Sequence, residues 1–284
     1  MTLTRAVPWL LRALWVALPF TAGPAFALAL RNASHPVQLV ASAGWWAGWG
    51  IGLIATVAPH PIGLTTLRLL APAAIVAAIA TGRPLAVGWT AVTAVWVFAP
   101  ATGAWCVNGP AYPNERRLLL RAPGPLLAGP LALAWALVIA GISAGPLLLA
   151  ARQWVAGAVC LILGLPLAVL LARALHGLSR RWIVFVPAGV VVHDPMSLLD
   201  PVLFRRQDIT GLGPAPADTG ALDLTQRSPG LALELDLVEP ADLMLVKPGQ
   251  RTGTKVHAMA LLVTPTRPGD VLAHARARRV RARS

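Results

Sequence analysis

Ten of the eleven acidic residues lie at or beyond Asp194, and Glu115 is the single exception. Before the Arg180-Arg181 pair the chain is almost wholly apolar, punctuated by Gly, Pro and Trp; after it come short runs that alternate apolar and polar residues. Soluble domains carry charge at roughly a quarter of their positions, whereas this chain has 12% charged and 56% hydrophobic residues. So uneven a polymer divides into a membrane-embedded half, residues 1–178, and a soluble half, residues 179–284. The expected fold class is an α-helical transmembrane bundle of about six helices, followed by a small, mostly-β barrel with a C-terminal helix.

A helix needs roughly 20 apolar residues to cross the hydrocarbon core. The stretches 8–30, 37–58, 62–80, 85–107, 126–150 and 153–176 approach or meet that length. Their connections, including 108–125, carry the Pro, Gly or Asn expected of breakers. The run Ala13 to Leu30 is longer than a signal-peptide core of about 7–15 residues and reads as an uncleaved first helix. Arg68 falls inside the third stretch, where its long side chain can reach the headgroups.

Arg gathers in cytoplasmic loops. With the amino terminus inside, that side holds Arg5, Arg12, Arg116, Arg117, Arg121, Arg173, Arg180 and Arg181, against Arg31, Arg83 and Arg152 outside. A multi-pass protein of the cell inner (plasma) membrane with both termini cytoplasmic is therefore expected, with the tail hard against the bilayer. The spacings Gly44-Gly48 and Gly141-Gly145 read as close-packing helix faces, with Trp45, Trp46 and Trp49 filling space beside the first.

From Trp182 the hydrophobic period becomes that of strands, expected at 182–187, 190–194, 202–208, 222–226, 231–238, 242–246 and 256–265. Turn residues separate them, among them Ala188-Gly189, the loop Gly211 to Gly220, Glu239-Pro240 and Pro248-Gly249. Thr266 as cap, Pro268 in the first turn and Asp270 at the positive end of the dipole begin a closing helix. Val271, Leu272, Ala275 and Val280 form its apolar face.

The pattern RWIVFVPAGVVVHD leading to PVLFRRQDI, with LLVTPTRPGDVLAHARAR at the end, resembles bacterial pleckstrin-homology-like (PH-like) domains tethered to membrane helices. The resemblance covers the last 105 or so residues and rests on diffuse apolar patterns. It implies scaffolding, or protein and peptide contact near a membrane, without catalysis. Members that bind inositol phosphates use basic residues around the first hairpin; Pro187-Ala188-Gly189 has none.

Chemical motifs are few. Gly141-Ile142-Ser143-Ala144-Gly145 spells a hydrolase elbow but lies in a membrane helix rather than at a strand-to-helix turn. Ser143 and His176 fall near opposite ends of adjacent spans, roughly 20–25 Å apart along the normal, too far for direct proton transfer. No span holds a carboxylate for ion coupling. His193-Asp194 and His257 read as solvated strand ends, and Cys106 and Cys160 form no disulfide or metal-spaced pair. No catalytic residue, cofactor or metal site is expected. Arg180, Arg181, Arg276, Arg278, Arg279 and Arg281 are the candidate contacts with anionic lipid or a partner, and no nucleic-acid motif accompanies them. The function expected is a non-enzymatic scaffold or partner-binding protein at the membrane; the alternative is a transporter or carrier subunit for a small or lipidic substrate.

Overall fold

The computed structural model describes residues 2–247 and 252–283; the expected turn Pro248-Gly249 lies outside the described residues. Six helices come first: α1 (Thr2–Thr21), α2 (Gly23–Ala29), α3 (His35–Val57), α4 (Pro61–Ala80), α5 (Pro84–Phe98) and α6 (Pro100–Asn108). A strand β1 (Arg116–Leu119), a short helix α7 (Gly124–Leu127) and the long helices α8 (Pro130–Ala150) and α9 (Trp154–Leu178) follow. Five stretches are long and apolar enough to cross a membrane, and a sixth if α5 and α6, bent by 56°, form one broken span. Residues 61–80 keep a mean hydropathy of 1.9 despite Arg68. Apolar side chains such as Phe20, Leu85 and Val155 stand fully on the outside, as on helices surrounded by lipid. The protein is a membrane protein by this measure.

The chain forms two compact units: Met1–Gly109 with Leu131–His176, and Pro110–Pro130 with Gly177–Ser284. The division expected at 178/179 therefore misplaces residues 110–130, which read as a simple connection. They carry β1, which pairs antiparallel along the whole of β2 (Trp182–Val186), Arg116 opposite Phe185 and Leu119 opposite Trp182. Leu118 and Leu120 are buried in the core of this second unit. Between β1 and β2 in the chain lie α8 and α9, both long and apolar enough to cross a membrane.

In the helical unit, prolines free backbone carbonyls that lipid cannot satisfy. Pro19 offers no N–H to the carbonyl of Trp15, and the Trp49 indole donates to it instead at 3.0 Å, while Trp15 Nε1 donates to Trp49 O at 2.9 Å. Pro100 likewise offers no N–H to Trp96 O, which accepts from Ala99 N at 3.2 Å and from the Thr102 hydroxyl at 2.7 Å. Trp49 thus bonds as well as packs. The Gly141-Gly145 face is close-packed as expected: a Cβ on Gly141 would stand 2.4 Å from the Gly164 carbonyl oxygen, and one on Gly145 2.9 Å from Leu161 Cβ. The Gly44-Gly48 expectation fails, because nothing lies within 4 Å of a Cβ on Gly44.

After β2 come β3 (Gly189–His193), β4 (Val202–Arg205), a 3-10 turn (Arg206–Asp208), β5 (Ile209–Pro214), β6 (Leu222–Asp223), β7 (Leu233–Leu245), β8 (Thr254–Val263) and α10 (Pro268–Ala277). The described residues form two four-stranded sheets, ordered β1-β2-β3-β4 and β5-β7-β8-β6, and no closed barrel. A shared core joins them, with Ile183, Phe185 and Val192 from the first sheet, Leu212, Leu235 and Leu261 from the second, and Val271, Ala275 and Val280 from the closing segment. The two strands expected at 231–238 and 242–246 are one, β7, because Glu239-Pro240 falls in a register shift rather than a turn. Residues 209–214, read partly as loop, pair with β7. Thr266 does not cap α10: its N–H and hydroxyl both bond Leu119 O, at 2.8 and 3.1 Å, tying the helix start to β1.

Candidate functional site

Of the six arginines expected to face lipid or a partner, Arg181 is buried to 1% exposure and is withdrawn from that role. Its Nε and Nη2 donate to the two oxygens of Asp194 at 2.8 and 2.7 Å, and Nη1 donates to Arg121 O at 2.8 Å. Asp194 also accepts from Met196 N and the Ser197 hydroxyl. Reading His193-Asp194 as a solvated strand end is thus corrected for Asp194, which is fully enclosed. His193 is half-buried, stacked on Trp182 and bonded to Arg180 O. A buried guanidinium is tolerated only when its charge and donors are met, and here they are. The group joins the end of β1, the start of β2, the turn after β3 and Leu224 O, so its work is architectural.

The other arginines group at the end of α10. Arg276, Arg279 and Arg281 are exposed. Arg278 donates to Asn114 O at 2.8 Å, pinning this basic turn to the segment that follows α6. Arg279 takes φ 56° while Val280 N bonds Ala275 O at 2.9 Å. That left-handed closing geometry turns the chain back. Arg180 is exposed two residues after α9 ends.

Two features escaped sequence reasoning. Gly189 pairs with Arg205, and Arg206 donates from Nη2 to Pro187 O at 3.2 Å. The first hairpin thus acquires basic neighbours from the end of β4, which line a shallow crevice of about 460 Å³ with Ala188 and Gln207. The spacing of 18 residues between turn and arginines hides this until β3 and β4 pair.

The second is a carboxylate pair. Glu234 and Asp236 alternate with core leucines on β7, so both face away from the core, and Arg283 binds them at 3.3 and 2.9 Å. Gly213 makes room for it, since a Cβ there would stand 2.5 Å from Arg283 Cβ. Burial pushes the Asp236 carboxyl up, as does its hydrogen bond to Glu234, with Arg283 opposing. For Glu234 burial also acts upward, but bonds from Thr219, Asp236 and Arg283 outweigh it and hold the carboxyl below its ordinary value. Asp236 therefore keeps the proton of the pair. Its stabilisation is complete below the ordinary carboxylate range and is lost as pH rises through its raised folded value; that of Glu234 is present above the ordinary range and is lost as pH falls through its depressed value. Asp236→Asn, a permanent donor, is expected to flatten the alkaline loss when unfolding midpoints are followed from about pH 4 to neutrality. An unchanged slope would contradict this assignment.

Elsewhere the side chains are occupied. The Ser143 hydroxyl donates to Ile139 O in its own helix, and His176 Nδ1 lies 2.9 Å from the Thr65 hydroxyl. His257 and Lys255 both pair with Asp242 at the surface. Among the described residues no three His, Cys, Asp or Glu side chains gather as a metal site requires. Comparison with protein-family models, with curated proteins and with solved structures finds no match in any of the three.

Proposed function

We infer that this is a multi-pass protein of the bacterial inner (plasma) membrane, with both termini cytoplasmic, in which a PH-like β unit acts as a non-enzymatic scaffold for a partner protein. The observation that carries this reading is the pairing of β1 with β2 across an intervening helical hairpin. A unit built from two separate chain segments is joined to the helical part at three points of the chain, which suits presentation of a surface better than a single flexible tether does. The closing helix that follows β8 after Thr264-Pro265 supports the PH-like assignment, and the arginine distribution supports the orientation. Arg180, Arg276, Arg279 and Arg281 supply the lipid-facing charge, each gaining about 1 kcal/mol near an anionic leaflet.

The short edge strand β4 presents exposed Leu203, and exposed Leu199 precedes it, its N–H bonded to Met244 O at 2.9 Å. A photoreactive residue at Leu203 or Leu199 of the full chain in native membranes is expected to give one discrete protein adduct. Absence of a discrete adduct from both positions would overturn the scaffold reading. The carrier reading is favoured by the α5–α6 break, since interrupted helices line many transport pathways; flux into vesicles containing only this protein would establish it.

A further inference from the structure

The helical unit contains no Asp or Glu at all, so an arginine inside it has no carboxylate partner there. Two arginines show how differently the fold treats this problem. Arg12 donates from Nε to Thr56 O at 2.9 Å, and its guanidinium lies over the rings of Trp9 and Trp105. Its charge is attracted to two aromatic faces and Nε is met. Arg68 lies over Phe98 alone, 5.7 Å from the ring centroid, and its enclosed Nε has no hydrogen-bond partner among the described residues. A cation over a ring uses none of the five guanidinium N–H donors, and an unmet donor away from water is costly.

The surrounding backbone is interrupted on both sides. Pro72 lies four residues beyond Arg68 inside α4 and so offers no N–H to the Arg68 carbonyl. Phe98 is the last residue of α5, at the 56° bend into α6. Depth follows from helix geometry. Arg68 is seven residues beyond Pro61, about 10 Å along the axis, and helical side chains lean towards the N-terminal end. That lean carries the guanidinium towards the end of α4 where Gly109 packs on Pro59. The charged head therefore lies near the boundary between acyl chains and headgroups, and Arg68 is partly rather than fully buried.

We propose that Arg68 binds the phosphate of an anionic membrane phospholipid at the junction of α4 with the α5–α6 bend. A planar fork of donors matches phosphate oxygens, and a lipid phosphate is the anion found at this depth. The site stands whichever partner the β unit takes.

The test uses the full chain in nanodiscs of phosphatidylcholine mixed with phosphatidylglycerol. Lipids retained after mild delipidation are counted by native mass spectrometry. The wild type is expected to enrich phosphatidylglycerol, Arg68→Leu to lower that enrichment roughly tenfold, as the loss of one charge-assisted fork implies, and Arg68→Lys to lower it less. Arg83→Leu, at a loop, serves as the control and is expected to leave it unchanged. Inorganic phosphate that fails to compete supports the lipid as source; phosphate that displaces the lipid shows a free phosphate to be the ligand and overturns the proposal, as does enrichment in Arg68→Leu equal to wild type. Should Arg68→Leu fail to fold, a photoactivatable phosphatidylglycerol on the wild-type protein is expected to label residues around Arg68 and Phe98, and labelling confined to other segments overturns it.

Discussion

Residues 177–284 expressed alone are expected to show no cooperative unfolding transition, whereas the same residues joined by a flexible linker to 110–130 fold as a soluble domain. Without β1 the whole edge of β2 loses its partner strand, and Leu120 N no longer bonds Arg181 O nor Arg121 N Thr264 O. Leu118 and Leu120 leave the core, each worth about 1.5–3 kcal/mol. Against the roughly 5–15 kcal/mol that holds a typical domain, those losses and the exposed strand edge suffice to abolish the fold. Trp182 is the only tryptophan in the joined fragment and is buried, so its fluorescence against urea reads the transition directly. A cooperative transition of equal midpoint in both fragments would show β1 to be peripheral.

In that joined domain, Asp194→Ala is expected to lose about 3–5 kcal/mol, the cost of leaving a buried charge unpaired. The Arg181 guanidinium would remain enclosed with both carboxylate bonds gone, and Met196 N and the Ser197 hydroxyl would lose their acceptor. Replacing both partners together, Arg181→Met with Asp194→Leu, is expected to cost less than the single change, because no charge is then left buried. Urea midpoints of the three variants decide it; a loss below about 1 kcal/mol for Asp194→Ala is the range of an exposed pair and would mean that water reaches this site.

The two predictions turn on features of very different visibility. The apolar stretches that become α1 to α6, α8 and α9 were legible because crossing a bilayer demands a long uninterrupted run, a property of local composition. The face of α10 was legible for the same reason, since Val271 and Ala275 recur at helical spacing. Residues 116–119 were not. Arg116-Arg117-Leu118-Leu119 is four residues long and doubly basic, and it becomes a strand only because β2 offers it an unpaired edge. Glu239-Pro240 carried a turn signal that lost to the pairing of β7 with β8 on both sides of it.

The candidate sites divide in the same way. Arginines at 276, 279 and 281 were identifiable as surface charge, because a basic run at a helix end has few ways to be buried. Arg181 was not distinguishable from Arg180, since the two are neighbours in sequence and opposite in fate: β2 turns one toward Asp194, 13 residues away, and leaves the other outside. Arg283 reaches Glu234 and Asp236 only because the last residues lie along β5 over its glycines.

From the sequence by itself came the membrane character, the number of crossings to within one, and the separation of an acid-free helical part from an acid-bearing β part; these depend on transfer of side chains from water, which each residue expresses on its own. Only the tertiary structure decided that the β unit is built from two distant segments, that Arg181 is structural, and that the enclosed Nε of Arg68 has no hydrogen-bond partner among the described residues. Those outcomes depend on hydrogen bonds and ion pairs between residues far apart in the chain, and such pairing energies exist only once the fold has brought the partners within about 3 Å of each other.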